Sequence, residues 1–384
     1  MASSTPVVNI QGNPVGNNQI DPPTFFKYTR RQRGLMTGTI QSFAGLGETD
    51  SIQLKPTGIL AAIDVHVTGT VTTTLGTGTA ATTWAWPYGL VKLLRLTANG
   101  QTNLIKLNGL LMRARQIIAT PGLNDRGVSQ TISGATVDQG TLALAEESWG
   151  LGQASTISAS GTVDFDLTFR VPISWDLLTL YGALYLQTTA TSVEVNIDWE
   201  TLANLFTLTG DATVAVSAGA VLEGIVFTIP IVQGYGVIPD LSVFHSVVQN
   251  DLQVASNGSQ QLVLPGQGVD NQLMRMFGQL WSNNAPLPLN AANFGQFSWG
   301  YGLQENPEVW HDGQTMADDV EESYGSALGL YQGIWSMDFA KHWSARDSVD
   351  EGAATQLNVG ITPNNVPTNG KLRLVQEVMI NAAS

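Results

Sequence analysis

Cysteine is absent from this chain of 384 residues, and charged side chains are scarce. Without cysteine the chain can form no disulfide, no thiolate nucleophile and no cysteine-based zinc site, which suits folding in a reducing compartment. Lys, Arg, Asp and Glu make up 12% of the sequence, about half of the usual ~25%. This composition predicts a surface of neutral polar groups that is largely buried against neighbouring subunits.

Motifs of enzymes and of membrane insertion are also missing. The sequence contains no GxSxG, GxGxxG, P-loop or HExxH pattern, the common signatures of hydrolases, nucleotide-binding proteins and metalloproteases. The first twenty residues have no basic segment followed by an apolar run, so no signal peptide is expected. We therefore expect a non-enzymatic chain that needs no cofactor or metal and is synthesised in the cytoplasm.

The charge that is present is unevenly distributed. Residues 1–130 carry 11 Lys and Arg against 5 Asp and Glu, whereas residues 131–384 carry 6 against 26, which together give the net charge of −14. Residues 1–24 are rich in Asn, Gly and Pro, so residues 1–34 are predicted to form an extended arm. The basic residues of this arm are Lys27, Arg30, Arg31 and Arg33. They are either a solvated charge run or a contact for an anionic surface.

Alternation with a period of two residues dominates the rest of the chain. In the segment VDFDLTFRV, apolar side chains from Val163 to Val171 point one way and polar ones the other. The segment SVEVNIDWE repeats the pattern from Val193 to Trp199. Alternation with one apolar face is typical of half-buried antiparallel strands, so the sequence predicts an all-β sandwich class.

Helices are predicted at only two places. The segment from Asn108 to Ile118 has an apolar face, with Asn108 as the N-cap and with Arg113 and Arg115 pointing away from that face. A weaker helix is expected to follow Thr315, where TMAD has the spacing of a capping box. The strands divide into two sets, residues 35–206 and 223–384, joined by a Gly/Ala/Thr-rich link at 207–222.

Several ordered segments resemble a known family. The segment at 160–199 has a strand ending in Val-Pro, an aromatic residue soon after, an Asp-Leu before a Gly-Ala turn and a final alternating strand. Further similarity lies in VIPDLSVFHSVVQND at 237–251, GIWSMDFAKHW at 333–343, LNVGITPNNV at 357–366 and KLRLVQEV at 371–378. Together they resemble the double jelly-roll major capsid proteins of tectivirus-like phages, tailless icosahedral phages with an internal membrane, in the adenovirus-hexon lineage.

The resemblance implies two consecutive eight-stranded jelly-roll β-sandwiches, with the arm at 1–34, the first roll at 35–206 and the second at 223–384. It implies a major capsid protein of the virion that forms homotrimeric, pseudo-hexameric capsomers tiling an icosahedral shell. Its partners would be copies of itself, penton and minor capsid proteins and an internal lipid membrane, with no sequence-specific nucleic acid binding. The basic arm would then lie on the inner surface, over lipid headgroups or packaged nucleic acid.

Other candidate sites leave alternatives open. The acidic residues Asp318, Asp319, Glu321 and Glu322 could hold a divalent cation, but they lack the ligand spacing and glycine of an EF-hand, so their pattern favours a solvated helix or loop face. Aromatic residues in Gly-rich surroundings could stack on sugars in a phage spike or lectin-like protein, or they could pack in the core; these are Trp84, Trp86, Tyr88, Trp299 and Tyr301. A glycoside hydrolase would need two convergent carboxylates; Asp164 and Asp166 share a strand face, but the sequence indicates no opposing partner for them.

Overall fold

The structure is a computed structural model, and it describes residues 29–36, 41–55, 57–98, 104–119, 131–133, 155–157, 159–177, 180–186, 192–228, 243–254, 256–266, 268, 271–282, 285–301, 306–324, 333–340, 348–351, 356–365 and 370–381. Strands account for most of these residues, which confirms the predicted all-β fold.

The strands of the first half of the chain are β1 (Arg30–Leu35), β2 (Gln41–Ser42), β3 (Thr49–Gln53), β4 (Ile59–Thr74), β5 (Thr79–Thr82), β6 (Val91–Ala98), β7 (Ile105–Leu107), β8 (Thr131–Ser133), β9 (Ser155–Ile157), β10 (Gly161–Pro172), β11 (Leu184–Tyr185), β12 (Val193–Trp199), β13 (Phe206–Thr209) and β14 (Thr213–Thr228).

The strands of the second half are β15 (Val243–Val254), β16 (Gln260–Val263), β17 (Gln272–Ser282), β18 (Ala285–Pro286), β19 (Phe294–Tyr301), β20 (Glu308–Trp310), β21 (Ile334–Asp338), β22 (Val349–Asp350), β23 (Leu357–Pro363) and β24 (Gly370–Asn381). The helices of the described residues are α1 (Gly109–Ala119), α2 (Leu202–Leu205) and α3 (Gly313–Tyr324), with a 3₁₀ turn at Tyr88–Leu90.

The first half is built around a sheet with the order β1-β14-β4-β10-β8, to which β2 and β11 add short edge pairings. The predicted alternation in β10 is confirmed, since Val163, Phe165, Leu167 and Phe169 are all buried. Helix α1 packs against both β10 and β6 and so fills the space between two sheets. Apolar side chains that alternate along each strand therefore form the core, as expected for a sandwich.

The two halves share one sheet, called here the joint sheet, with the order β18-β17-β24-β15-β7-β6-β12-β3. Its central contact is parallel: Ile105 of β7 lies opposite Val247 of β15, and the Val247 N–H donates to the carbonyl of Leu104 at 2.9 Å. All other strand pairs in the described residues are antiparallel. Because backbone hydrogen bonds cross this contact, the two halves are held edge to edge as one unit.

The second half places β17, β24 and β15 of the joint sheet across from a sheet of order β16-β23-β19-β20. Phe297 of β19 packs against Trp335 of β21 at a centroid distance of 6.3 Å, and both side chains are fully buried. Helix α3 buries Met316, Ala317 and Val320 against β19, β20 and β21.

The capping residue of α3 differs from the prediction. The carboxylate of Asp312, at Oδ1, accepts hydrogen bonds from the backbone N–H and the hydroxyl of Thr315, each at 2.9 Å. The helix therefore begins at Gly313, and Thr315 is its third residue rather than its cap. For α1 the prediction is confirmed: Asn108 Oδ1 accepts from the N–H of Leu111 at 2.7 Å.

The predicted link at 207–222 is not a link. Most of it belongs to strands, with Thr213–Thr228 forming β14, which pairs with β4 along its length. The Gly/Ala/Thr content suggested a loop, but Val214, Ala220 and Leu222 alternate and are buried. Small residues also let the strands approach closely, since a Cβ on Gly69 would lie 2.0 Å from the carbonyl oxygen of Ser217. The crossing to the second half comes later, between Thr228 and Val243.

Candidate functional site

Four strand ends meet at one end of the molecule, called here the terminal end. Arg30, the first residue of β1, pairs with Thr228, the last residue of β14. In the joint sheet Val243, the first residue of β15, pairs with Asn381, the last residue of β24.

The segment 180–186 connects these two pairs. Tyr185 pairs with Ile59, which is opposite Phe227, while Gly182 lies against the backbone of His245. Gly182 has φ +83°, and a Cβ there would come within 2.7 Å of His245 Cβ, so glycine is required for this close approach. The start of β1, the first described strand, and the end of β24, the last one, therefore both lie at the terminal end.

The predicted basic arm ends as a strand. Lys27 lies outside the described residues, whereas Arg30, Arg31 and Arg33 belong to β1, whose six residues are all exposed. This strand forms one edge of the first sheet by pairing antiparallel with β14. None of the helices in the described residues has the length and apolarity that crossing a bilayer requires.

Arg33 is engaged within the chain. Its Nε donates to Glu223 Oε2 at 2.7 Å, and its other guanidinium nitrogen lies 3.1 Å from Asp64 Oδ2. Asp64 also accepts two hydrogen bonds from Arg170, at 2.8 and 3.0 Å. The hydrogen bond to Glu223, together with the charge of Asp64, raises the pKa of Arg33. These contacts attach β1 to the sheet, so the charge of Arg33 is compensated internally.

Arg30 and Arg31 are placed differently from Arg33. Among the residues that the structure describes, neither has a carboxylate within ion-pair distance, and both are exposed. The hydroxyl of Thr228 donates to the Arg30 backbone carbonyl at 3.4 Å, so this contact does not involve the guanidinium group. The structure thus divides the predicted basic cluster into one residue with a structural role and two that are available to an anionic partner.

A buried ion cluster joins the two halves a few residues from the terminal end. Arg115 of α1 donates through Nε to Glu377 Oε1 of β24 at 2.6 Å. Arg275 of β17 lies 3.5 Å from Glu377 Oε2 and donates twice to Asp338 Oδ2, at 2.9 and 2.7 Å. Arg115 comes from the first half and the other three residues from the second. We call these four residues the inter-half cluster.

Two residues cover this cluster. The ring of Trp175 from the first half lies under the Arg275 guanidinium at 5.1 Å, a cation–π contact across the halves. His245 packs edge-on against the same ring at 5.7 Å, and its Nε2 is 3.8 Å from Glu377 Oε2, beyond hydrogen-bond distance. Side chains from both halves therefore fix how the halves meet.

Burial and neighbouring charges shift the pKa values of Glu377 and His245 in opposite directions. Burial alone would raise the pKa of Glu377, but Arg115 and Arg275 outweigh it and hold the pKa well below its usual range. For His245, burial is the larger effect and lowers the pKa, although Glu377 acts in the opposite direction. These shifts favour an ionised Glu377 within the cluster and a neutral His245 beside it at neutral pH.

The sequence predicts that Arg113 and Arg115 point away from the apolar face of α1, and the structure shows that this polar side of the helix is buried as well. Both are buried, with Arg113 over the ring of Tyr88 at 5.7 Å and Arg115 on Glu377. Helix α1 lies between sheets, so even its polar face is covered. A local signal of this burial was that a charge-poor chain places two arginines on a largely apolar helix. The partner of Arg115, Glu377, lies 262 residues away and could not be found from the local sequence.

The candidate cation site is not assembled. Asp318, Asp319, Glu321 and Glu322 all lie on α3, where Asp318 accepts from Gln314 at 2.8 Å and Asp319 from the Trp310 indole at 3.3 Å. Glu321 and Glu322 are exposed. Across the described part of the chain, no group of three or more His, Asp or Glu side chains is arranged to hold a metal ion.

The aromatic residues do not form a stacking platform. Trp86 is buried against Phe165 and Phe206, with centroid distances of 5.4 and 5.1 Å. Tyr88 and Trp299 are buried as well, and Trp84 is half-buried. Core packing therefore accounts for Trp86, Tyr88 and Trp299, so these three give no support to the spike or lectin-like alternative, and the side chain of Tyr301 lies outside the description.

Comparison with solved structures identifies the fold. The crystal structure of the major capsid protein of Sulfolobus turreted icosahedral virus matches with a TM-score of 0.66 and 11% identity, over 92% of this chain and 97% of that one. VP54 of PBCV-1 matches with a TM-score of 0.61 and 11% identity, over 92% and 96%. The chain has the double jelly-roll fold of viral major capsid proteins.

A third double jelly-roll protein extends the comparison. The Faustovirus major capsid protein matches with a TM-score of 0.55 and 8% identity, over 92% of this chain and 90% of that chain. No protein-family model matches the sequence, and no curated protein sequence does. The double jelly roll that the resemblance of the sequence segments implied is thus confirmed by the coordinates, although identity to these structures is 11% or lower.

Proposed function

We propose that this chain is the major capsid protein of a tailless icosahedral virus. The observation that carries the proposal is the near end-to-end match to double jelly-roll capsid proteins. The match covers 92% of this chain and 97% and 96% of the two capsid protein chains. A partial match would fit any protein with a β-sandwich domain. A match to both rolls, with a shared sheet between them, is specific to the architecture.

The proposed assembly is a homotrimer with six sandwiches in a ring. Two rolls joined by backbone hydrogen bonds behave as one rigid unit, so three chains supply six similar lateral faces that can tile a facet. Such faces are buried against copies of the same chain, and burying charge without a partner is costly. The low share of charged residues, 12%, supports this arrangement.

The terminal end would face the interior of the shell. Arg30 and Arg31 are exposed at this end, and Lys27 precedes them by three residues in the sequence. Each cation near an anionic membrane contributes about 1 kcal/mol, so one arm binds weakly and a trimer gains avidity. The proposed interior partner is a surface of lipid headgroup or nucleic acid phosphates.

The native mass of the purified chain tests the assembly. We expect mass photometry to give three times the chain mass of 40.9 kDa, and negative-stain images to show particles with a hexagonal outline. A monomer at micromolar concentration would overturn the capsomer proposal, because trimers of this kind are the building unit of the shell.

Flotation with liposomes tests the orientation separately. We expect trimers to float with vesicles containing phosphatidylglycerol, and the triple variant Lys27→Ser, Arg30→Ser, Arg31→Ser to lose at least tenfold of the bound fraction. Pure phosphatidylcholine vesicles and the variant Lys55→Ser, which removes an exposed cation elsewhere, are the controls. Equal flotation of the triple variant would remove the inner-surface role while leaving the trimer proposal intact.

A further inference from the structure

A second concentration of basic side chains lies far from the arm, in a cleft where the two halves meet. The cleft has a volume of about 690 Å³ and is lined by residues of β6, β7 and α2 on one side and of β15, β17 and β24 on the other. That volume is within the ~300–1,000 Å³ typical of small-molecule sites. It is larger than a packing gap between strands.

The charges in this cleft are not balanced. Its lining includes four cations, Lys92, Lys106, Lys371 and Arg373, against two carboxylates, Glu200 and Asp251. The whole chain has 17 Lys and Arg against 31 Asp and Glu, so a cationic cleft runs against the overall composition. An excess of one sign in a concave site concentrates counter-ions of the opposite sign.

Both carboxylates already have partners. Asp251 is 2.5 Å from the Lys371 ammonium and accepts from the Gln249 amide at 3.1 Å. Glu200 accepts from the Thr201 N–H and the Asn204 amide, each at 2.9 Å. Among the described residues, Lys92 and Lys106 have no carboxylate within ion-pair distance. The carboxylates therefore leave part of the positive charge uncompensated.

Arg373 is held in position for binding. Its guanidinium carbon lies over the Trp281 ring, 4.3 Å from the ring centroid, which is a cation–π contact. Its Nε is buried and has no hydrogen-bond partner among the described residues. Burial lowers the pKa of Arg373, with Asp251 and Glu200 only partly opposing the effect. A guanidinium group that lines the cleft and has no carboxylate within ion-pair distance among the described residues suits a planar or tetrahedral oxyanion.

The first turn of α1 adds to the positive potential. Asn108 and Leu110 line the cleft, and α1 begins at Gly109. The N-terminal end of an eleven-residue helix carries a partial positive charge.

We propose that this cleft binds a phosphate-class oxyanion through Arg373, Lys106 and Lys92. The shared chemistry is the phosphate group, supplied either by a free polyphosphate compound or by the backbone of a nucleic acid.

Calorimetry with inorganic pyrophosphate on the full-length chain at low ionic strength tests the site. We expect saturable binding with one site per chain, weakened at least tenfold in the double variant Lys92→Gln, Lys106→Gln. Both positions tolerate glutamine, because Lys92 is exposed and Lys106 is half-buried. The matched control Lys55→Gln removes an exposed cation away from the cleft and is expected to change the affinity less than twofold.

The same experiment can overturn the proposal. No saturable binding to the native chain at millimolar pyrophosphate, or an equal loss in the control variant, would show that the cleft is not a site. A folded double variant, confirmed by an unchanged thermal unfolding temperature, excludes misfolding as the reason for lost binding.

A labelled single-stranded oligonucleotide distinguishes the two sources of phosphate. If nucleic acid occupies the cleft, the oligonucleotide binds the native chain, loses affinity in the double variant and is displaced by pyrophosphate. If a free polyphosphate compound is the ligand, only pyrophosphate binding depends on Lys92 and Lys106.

Discussion

The inter-half cluster and the β1 strand both use arginine–carboxylate pairs, but they differ in exposure. Glu377 is fully buried between Arg115 and Arg275, whereas the Arg33 side chain, on Glu223 and Asp64, is 48% exposed. Removing one partner of Glu377 leaves an unpaired charge in the interior, where water does not replace the partner. Removing the partner of the exposed Arg33 side chain allows water to take its place. The same pair of residue types therefore fixes the joint between the halves in one place and only attaches an edge strand in the other.

The largest expected change in the free energy of unfolding comes from a substitution in the buried inter-half cluster. Glu377→Gln keeps the shape of the side chain but leaves Arg115 and Arg275 without their shared carboxylate. We expect the free energy of unfolding to fall by about 3–5 kcal/mol, the usual cost of breaking a buried pair. Urea unfolding followed by tryptophan fluorescence measures it. Glu223→Gln is the matched control, and an equal loss in both variants would contradict the comparison.

The pH dependence is the next largest effect and depends on His245. Burial lowers its pKa in the folded chain, whereas the unfolded chain has an ordinary value near 6.5. Below that pH the unfolded chain takes up a proton that the folded chain does not, so stability falls as the pH decreases from 6.5. One proton corresponds to about 1.4 kcal/mol per pH unit.

The variant His245→Gln isolates this contribution. We expect urea midpoints between pH 7 and pH 5 to decline less steeply in the variant than in the native chain. Below the ordinary glutamate pKa near 4.5 both chains should lose stability together, because the contribution of ionised Glu377 is complete above that value and is lost progressively as the pH falls below it. Parallel curves from pH 7 to pH 5 would exclude His245 as the acid-sensitive group.

A smaller loss of stability is expected from a substitution of the exposed Arg33 in β1. Arg33→Gln removes the contacts to Glu223 and Asp64, but Asp64 keeps Arg170. Exposed pairs contribute ~0.2–1 kcal/mol, so the unfolding free energy should fall by less than about 1 kcal/mol. Hydrogen exchange should show faster opening of the amides of β1. A loss as large as that of Glu377→Gln would mean that β1 is essential to the fold.

The smallest effect is predicted for the two outward arginines. The double variant Arg30→Ser, Arg31→Ser should leave the unfolding free energy within about 0.5 kcal/mol of the native value. Neither side chain has a carboxylate partner in the described part of the chain, so no folded-state contact is lost. A scanning calorimetry shift as large as that of Arg33→Gln would show that these side chains have partners within the chain.

Much of the fold was predictable because its signals are local. The alternation in β10 and β12 and the N-cap of α1 depend on residues within a few positions of one another. Where composition was used instead of periodicity the prediction was wrong: residues 207–222 looked like a link because of their Gly, Ala and Thr content. Their buried Val214, Ala220 and Leu222 already carried the strand period.

The sites were less predictable because each depends on residues distant in sequence. Arg30, Arg31 and Arg33 looked equivalent, and only the pairing of β1 with β14 brings Glu223 to Arg33 alone. The acidic residues of α3 looked like a cluster, but helical geometry spreads them and Trp310 and Gln314 engage two of them. No local pattern indicated the basic cleft, whose lysines and arginine lie on three strands of the joint sheet.

The sequence by itself determined the all-β class, the strand faces and the position of the main helix, because side-chain periodicity and capping act over a few residues. Tertiary structure alone decided that the halves share a sheet and that Arg115 meets Glu377. It also decided that one arginine of the arm is neutralised while two are not. These outcomes depend on burial and on partners up to 262 residues apart, and a charge acquires its role only from the groups that surround it.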